Sequence, residues 1–201
     1  MTIIKKTYNI KTLDEFSAEE QAEIVERHRY INIEDGFSLA DYDESYALSI
    51  KEKGFLKPEI YYDLSASQGS GACFDSKELD FNILLKNFKC KHKKWIIALL
   101  NDENSVSIQI KQNQYANHYS HARTRTVFLL FFRKFSNLKY LYALLEEVRN
   151  HVEKVYLETC DNLYNELVKN SDYLISDEAV RDTLFVNDYC FNEYSYMIER
   201  E

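Results

Sequence analysis

Proline and glycine are scarce in this sequence of 201 residues, with one proline and four glycines. We therefore expect few sharp turns, because proline and glycine are the residues that most strongly interrupt helices and strands and form turns. Two of the four glycines, Gly69 and Gly71, nevertheless stand one residue apart in the segment SASQGSGACF, Ser65–Phe74. Glycine permits positive φ angles and the close approach of another backbone. This segment is therefore the first place to look for a special turn or a binding site.

Close cysteine pairs, long apolar runs and excess positive charge are also missing. The four cysteines lie far apart without a CxxC pair, which argues against a structural zinc site. The longest apolar run, Val127–Phe132, is too short to cross a bilayer, and MTIIKKTYNI has no apolar core of a signal peptide. A net charge of −8 argues against direct nucleic-acid binding, which needs Lys and Arg against the phosphates. These features predict an acidic cytoplasmic protein with free thiols, no metal, no cofactor and no membrane partner.

Aromatic residues, by contrast, are abundant, with 16 Tyr and 12 Phe. Tyrosine is enriched at protein interfaces because its ring buries a large area while its hydroxyl keeps a hydrogen-bond partner. Candidates for core edges or for an interface are Tyr42, Tyr46, Tyr61, Tyr62, Tyr194 and Tyr196. A chain of this length can bury most of its apolar surface, so we expect a single domain over residues 1–201.

Capping residues and helical periodicity predict several helices. The predicted ranges are Ala18 to about Tyr30, Phe37–Lys53, Ser76–Phe88, Asn137–Lys169 and Asp177 to about Asn187. Ser17 with Glu20 forms a capping box before the first helix, and Ser176 caps the last. Gly54 ends the second helix. The fourth helix is long and is bent or broken at most once.

Alternating and β-branched residues predict short strands between the helices. They are Ile3–Ile10, Ile60–Leu64 with Pro58 at its start, Ala72–Phe74, Val106–Ile110, Tyr115–Thr126 and a terminal hairpin within Tyr189–Ile198. Trp95–Leu100 fits either a helix or a strand. Because strands and helices do not alternate regularly, we expect an α+β fold. Its helices would pack on one face of a small, mainly antiparallel sheet, with a long helix in the C-terminal half.

The glycine segment admits two interpretations. In the first, successive backbone amides of this segment would form an anion cradle, although neither a P-loop nor a GxGxxG pattern is present. The structural alternative, which we favour, is a β-bulge or a tight strand connection, with Gln68 bonded to the backbone.

A second segment, NHYSHARTRT, carries His118, His121 and Arg123. Either histidine could activate Cys73 as a nucleophile, but a reactive thiol needs a lowered pKa, and a buried inert cysteine is the more common case. On a strand, His121, Arg123 and Arg125 would form a basic stripe for an anion, or simply a solvated face. The candidate binding residues are Ser67, Gln68, Gly69, Gly71, Cys73, His118, His121 and Arg123. No catalytic residue is assigned.

Three longer segments together resemble a known family. They are YNIKTLDEFSAEEQAEIVERHRYIN, IYYDLSASQGSGACF and DYLISDEAVRDTLFVNDYCFNE. The chain is similar to phage and prophage proteins labelled "antitoxin of toxin–antitoxin stability system", which commonly carry Ser-Gln-Gly-Asp-Gly-Ala where this chain has residues 67–72. Ser70 replaces the aspartate, so this chain lacks that carboxylate. The segment NHYSHARTRT also resembles the His-containing strand of the family.

The resemblance implies a phage-type accessory protein that acts in the cytoplasm of the host cell. Such a protein would bind and inhibit a bacterial protein, either a host defence effector, as an anti-CRISPR or other anti-defence inhibitor does, or a cognate toxin. A nucleotide-binding or nucleotide-processing protein is the alternative, with a site formed by residues 67–73 and the two histidines. The absence of a complete catalytic motif favours a binding protein over an enzyme.

Overall fold

The computed structural model describes residues 9–34, 43–65, 70–102, 105–112, 120–132, 139–192 and 194–198. The chain divides into two compact units, residues 42–168 and residues 1–41 with 169–201. Helices and small antiparallel sheets are both present together with a long C-terminal helix, so the predicted α+β class is confirmed. The single domain over residues 1–201 stays a prediction.

The helices are α1 (Ala18–Arg27), α2 (Ile31–Glu34), α3 (Asp43–Glu52), α4 (Phe81–Leu84), α5 (Lys93–Leu100), α6 (Lys139–Leu174) and α7 (Asp177–Val186). The strands are β1 (Lys11–Thr12), β2 (Phe55–Asp63), β3 (Gly71–Leu79), β4 (Val106–Gln112), β5 (Arg125–Phe131), β6 (Cys190–Phe191) and β7 (Met197–Ile198). In the described part of the chain the strands form three antiparallel sheets, ordered β1-β6-β7, β2-β3 and β4-β5. None of the described helices is both long and apolar enough to span a bilayer.

Two β-hairpins form the centre of the unit of residues 42–168. In the first, β2 and β3 pair from Phe55 opposite Leu79 to Asp63 opposite Gly71. In the second, β4 and β5 pair from Val106 opposite Phe131 to Gln112 opposite Arg125. Strand β3 therefore begins within the glycine segment, at Gly71, and Cys73 is its third residue.

Three predictions for this unit need correction. Pro58 is the fourth residue of β2 and not its start, which is tolerated because β2 pairs only with β3 among the described residues and keeps a free edge. The predicted helix Ser76–Phe88 is wrong at both ends, because only Phe81–Leu84 is helical, as α4. Ser76 to Leu79 continue β3, where the Ser76 hydroxyl donates to the carbonyl of Leu56 at 2.6 Å.

The third correction concerns Tyr115–Thr126. The second strand of this hairpin is β5, which begins at Arg125 and contains most of the apolar run Val127–Phe132. Residues 120–124 lead into it through a 3-10 turn, Ala122–Thr124, and residues 113–119 lie outside the described residues. The position of β5 is set by its pairing with β4. The sequence of β5 alone does not show which strand it pairs with, so its bounds could not be predicted.

Helix α6 confirms the predicted long helix and is continuous over its 36 residues. Its buried side chains recur at helical spacing through the unit: Leu141, Leu145, Val148, Val152, Tyr156, Cys160, Leu163 and Leu167. Tyr156 packs against the rings of Phe55 and Phe74, with centroids 6.0 and 4.8 Å away. These three rings place the first hairpin against the helix.

The segment Trp95–Leu100, left open by the sequence, is helical in α5. Residues 35–42 lie outside the described residues, so the predicted second helix is seen only from Asp43. Gly54 follows that helix with a φ of 96°, as predicted for a residue after a helix end.

The other unit has its own core, formed by residues of α1, α2, α7, β6 and the turn before α1. Its buried side chains are Leu13, Phe16, Ile24, Val25, Ile31, Val180, Leu184 and Phe191. Both predicted caps are confirmed, since the Ser17 hydroxyl accepts from the Glu20 amide and the Ser176 hydroxyl from the Ala179 amide. The terminal hairpin is confirmed by β6 and β7. Residues 3–8 of the predicted strand Ile3–Ile10 lie outside the described residues, and the observed β1 starts at Lys11.

Candidate functional site

Half of the predicted binding residues lie outside the described residues, namely Ser67, Gln68, Gly69 and His118. The other four are Gly71, Cys73, His121 and Arg123. Gly71 and Cys73 are in β3, whereas His121 and Arg123 belong to the segment that leads into β5. The segments SASQGSGACF and NHYSHARTRT meet where Gly71 contacts His121.

Gly71 is in direct contact with His121. A Cβ atom added to Gly71 would lie 2.4 Å from the Cβ of His121 and 2.9 Å from its Cα. Real Cβ atoms essentially never come so close to another heavy atom, so the segment before β5 can pass over β3 only where β3 has no side chain. The glycine at this position is explained by the close approach of another segment, since the backbone of Gly71 is almost fully extended.

Cys73 is completely buried, next to the turn that follows His121. The Thr124 hydroxyl oxygen lies 3.9 Å from the Cys73 sulfur and donates to the carbonyl of His121 at 2.7 Å. Burial raises the pKa of the Cys73 thiol, and the charge of Arg125 and the Thr124 hydroxyl only partly offset this effect. The thiolate needed by a nucleophile is therefore disfavoured at neutral pH.

The predicted basic stripe of His121, Arg123 and Arg125 is wrong. His121 and Arg123 belong to the 3-10 turn region, where the alternation of a strand does not apply. Arg123 is exposed, whereas the Arg125 side chain is only 3% exposed. Arg125 uses its charge internally, because its Nε lies 2.5 Å from a carboxylate oxygen of Asp75 in β3.

The residues around Arg125 were missed by sequence reasoning. Its guanidinium donates to the Thr124 hydroxyl at 3.1 Å and lies 4.9 Å from the centre of the Tyr61 ring. Asp75 lies two residues after Cys73, so both residues are on the same face of β3. This spacing is the only sequence signal for the contact between Asp75 and Arg125. Because these groups bind each other, this cluster joins the two hairpins.

A second pair of buried polar groups lies on α6. The Tyr156 hydroxyl donates to the carbonyl of Phe74 at 3.1 Å. Burial raises the pKa of Tyr156 and raises the pKa of Cys160 to about 12, which the hydrogen bond with Tyr156 only partly offsets. Both groups are therefore neutral at physiological pH.

An open apolar groove lies elsewhere in the same unit, between α5 and the start of α6. We call it the aromatic groove. It has a volume of about 410 Å³ and is lined by His92, Trp95, Tyr140, Leu141 and Leu144. Trp95 is 52% exposed and Tyr140 is 70% exposed, while the two leucines are buried. Sequence reasoning missed the groove because its two aromatic residues are far apart in the chain.

Basic residues precede the groove in the chain. The sequence KNFKCKHKK, residues 86–94, contains five lysines and no carboxylate, and we call it the lysine segment. Lys93 donates to the carbonyls of Leu85 and Lys86, at 2.8 Å each. This positive run next to the only tryptophan was the sequence signal that could have revealed the groove.

Among the described residues, no group of three or more His, Cys, Asp and Glu side chains could hold a metal ion. A family model matches residues 35–177, and its description is a domain of unknown function, DUF8835. The chain belongs to this family. The DUF8835 range includes both the Gly71–His121 contact and the aromatic groove. No curated protein matches the chain, and no solved structure matches it either.

We predict that Gly71→Ala destabilises the protein because the new methyl group collides with His121. Replacing His121 as well, in Gly71→Ala with His121→Gly, removes the nearest atom of that collision and should recover part of the loss. Thermal unfolding of the wild type, the two single variants and the double variant gives the coupling between the two positions. Additive effects would show that His121 is not what requires the glycine.

We also predict that one thiol reacts in the folded protein. Cys90 is half-buried, whereas Cys73, Cys160 and Cys190 are buried. Ellman's reagent should therefore label Cys90 first and the other three only after denaturation. The rapid labelling of the folded protein should be lost in Cys90→Ser. If rapid labelling remains in Cys90→Ser but is lost in Cys73→Ser, Cys73 is a reactive thiol.

Proposed function

We propose that this DUF8835 protein acts by binding another protein and inhibiting it, without turning over a substrate. The observation that supports the proposal best is the aromatic groove, a concave apolar surface with two exposed aromatic side chains. Tryptophan and tyrosine are the residues that most often dominate the energy of protein interfaces. Trp95 and Tyr140 would supply that energy here.

The shape of the groove suits a protein side chain. Leu141 and Leu144 are buried and form an aliphatic floor, while Trp95 and Tyr140 stand exposed beside it. A partner side chain seated there would be shielded from water on several sides, which is the environment of interface hot spots. Exposed aromatic side chains also lose little conformational entropy on binding, because they have few rotatable bonds.

The proposed partner is a bacterial protein in the cytoplasm of the host cell. The resemblance to phage and prophage proteins supports a host defence effector, with a cognate toxin as the alternative antitoxin function. The charge of −8 supports a partner with a basic nucleic-acid channel, since exposed carboxylates on α6 such as Glu147, Glu158 and Asp161 would face it. A neighbouring toxin gene would favour the antitoxin function.

The nucleotide alternative has less support. The space beside Gly71 is taken by His121, and Cys73 is buried with a raised pKa. Both observations favour a packing role for this region over a ligand cradle. Thermal shift against a panel of nucleotides tests the alternative, and a nucleotide-dependent rise in melting temperature would revive it.

We predict that capture of the partner depends on the aromatic groove. The tagged protein is incubated with bacterial lysate, and the captured proteins are compared with those of the double variant Trp95→Ala with Tyr140→Ala. Because a hot-spot aromatic residue contributes about 2 kcal/mol or more, each substitution should weaken binding at least about 30-fold. The specific partner should therefore be lost.

The matched control replaces Tyr30 and Tyr173 by alanine. These tyrosines are 56% and 52% exposed, nearly as accessible as the two groove residues, and they lie outside the groove. The control variant should retain the partner and the wild-type melting temperature. Equal capture by both double variants would contradict the proposal.

Inhibition is measured by phage plating on bacteria that carry the captured defence system. The wild type should restore plaques, and the groove variant should not.

A further inference from the structure

We infer that the aromatic groove takes an acidic segment of the partner, with one apolar side chain seated in the groove and carboxylates against the lysine segment. This inference rests on the proposed function and adds that the partner carries an acidic segment for the groove, at a place apart from the basic channel that would face the carboxylates of α6.

The positive charge is concentrated beside the groove. The lysine segment carries five lysines in a chain whose net charge is −8, so the rest of the chain is strongly acidic. Lys91 and Lys94 are exposed and are the chain neighbours of His92 and Trp95, which line the groove. Lys139, also exposed, is the neighbour of Tyr140.

These lysines are available to a partner. Within the described residues, no carboxylate forms an ion pair with Lys91, Lys94 or Lys139. Lys93 has a different role, because its two hydrogen bonds to backbone carbonyls hold the lysine segment against the start of α5. The positive end of the α5 dipole adds to the same charge. Carboxylates of a partner are the groups that this local positive charge would attract.

The lining of the groove selects a protein over a nucleic acid. A nucleobase binds best on a flat aromatic platform within a basic track that follows the phosphates. Here the floor is aliphatic, from Leu141 and Leu144, and the overall charge of −8 repels a polyanion. A short acidic segment with one leucine or phenylalanine meets less repulsion and fills an aliphatic floor.

The single tryptophan of the chain makes occupancy directly measurable. Since Trp95 lines the groove, the intrinsic tryptophan fluorescence of the full protein reports on it alone. The probe is a short synthetic peptide of glutamate and serine with one central leucine. Two companion peptides carry lysine in place of glutamate, or serine in place of leucine. We expect a saturable change in emission with the acidic leucine peptide only, weakened by added salt because salt screens charges.

Charge-reversed variants test the role of the lysines. Lys91→Glu with Lys94→Glu should weaken binding of the acidic leucine peptide about tenfold or more, since two attractive contacts become repulsive. The control, Lys53→Glu with Lys111→Glu, makes the same change of charge at two exposed lysines outside the groove, and neither of them forms an ion pair within the described residues. It should bind within about twofold of the wild type. Both variants keep Trp95 as the reporter.

Several outcomes would overturn the inference. Equal binding of the acidic and lysine peptides, or no response to any peptide, would show that the occupant is not an acidic segment. A stronger response to single-stranded oligothymidine would identify a nucleic acid as the occupant. A change in emission with protein concentration alone would indicate a second copy of the chain. The proposed function is judged separately, because capture of the partner by wild type and groove variant does not depend on these peptides.

Discussion

The contact between Arg125 and Asp75 is the interaction on which the central part of the fold depends. Arg125 opens β5 and Asp75 lies in β3, so one ion pair joins the two hairpins. An arginine charge that is 97% shielded from solvent is costly unless it is paired. The Thr124 hydroxyl and the Tyr61 ring complete its surroundings. The second hairpin is thereby held in one position against β3.

This position explains why Gly71, Cys73 and His121 lie together. With Arg125 bound to Asp75, the preceding turn passes over the start of β3, where His121 lies against Gly71. Cys73 is enclosed beneath the same turn. Glycine, histidine, cysteine and arginine resemble the parts of a ligand site, but here they pack and pair with one another. The exposed aromatic groove, which they do not line, is therefore the better candidate for function.

Local signals in the sequence predicted much of the fold. The caps at Ser17 and Ser176 and the end at Gly54 are decided by groups within a few residues, and the periodic apolar stripe of α6 extends over many turns. The strands were harder because their bounds depend on partners distant in sequence. Ser76–Leu79 became strand through pairing with β2, and β5 was displaced toward Phe131 through pairing with β4.

The candidate sites differ in the same way. That Gly71 needed to be glycine was apparent from its rarity, but the reason, a neighbour in a segment some fifty residues later, was not. The aromatic groove combines Trp95 of α5 with Tyr140 of α6, and only the packing of the two helices makes them neighbours. Its charge, in contrast, could be read directly from the lysines of residues 86–94.

The measurement that tests this account most directly is the unfolding free energy of Arg125→Met compared with that of Arg123→Met. Arg123 is exposed two residues away, so its loss should change stability by no more than about 0.5 kcal/mol. Loss of Arg125 leaves Asp75, whose side chain is 28% exposed, without its partner and should cost about 1.5–3 kcal/mol. Equal stability of the two variants would contradict the account.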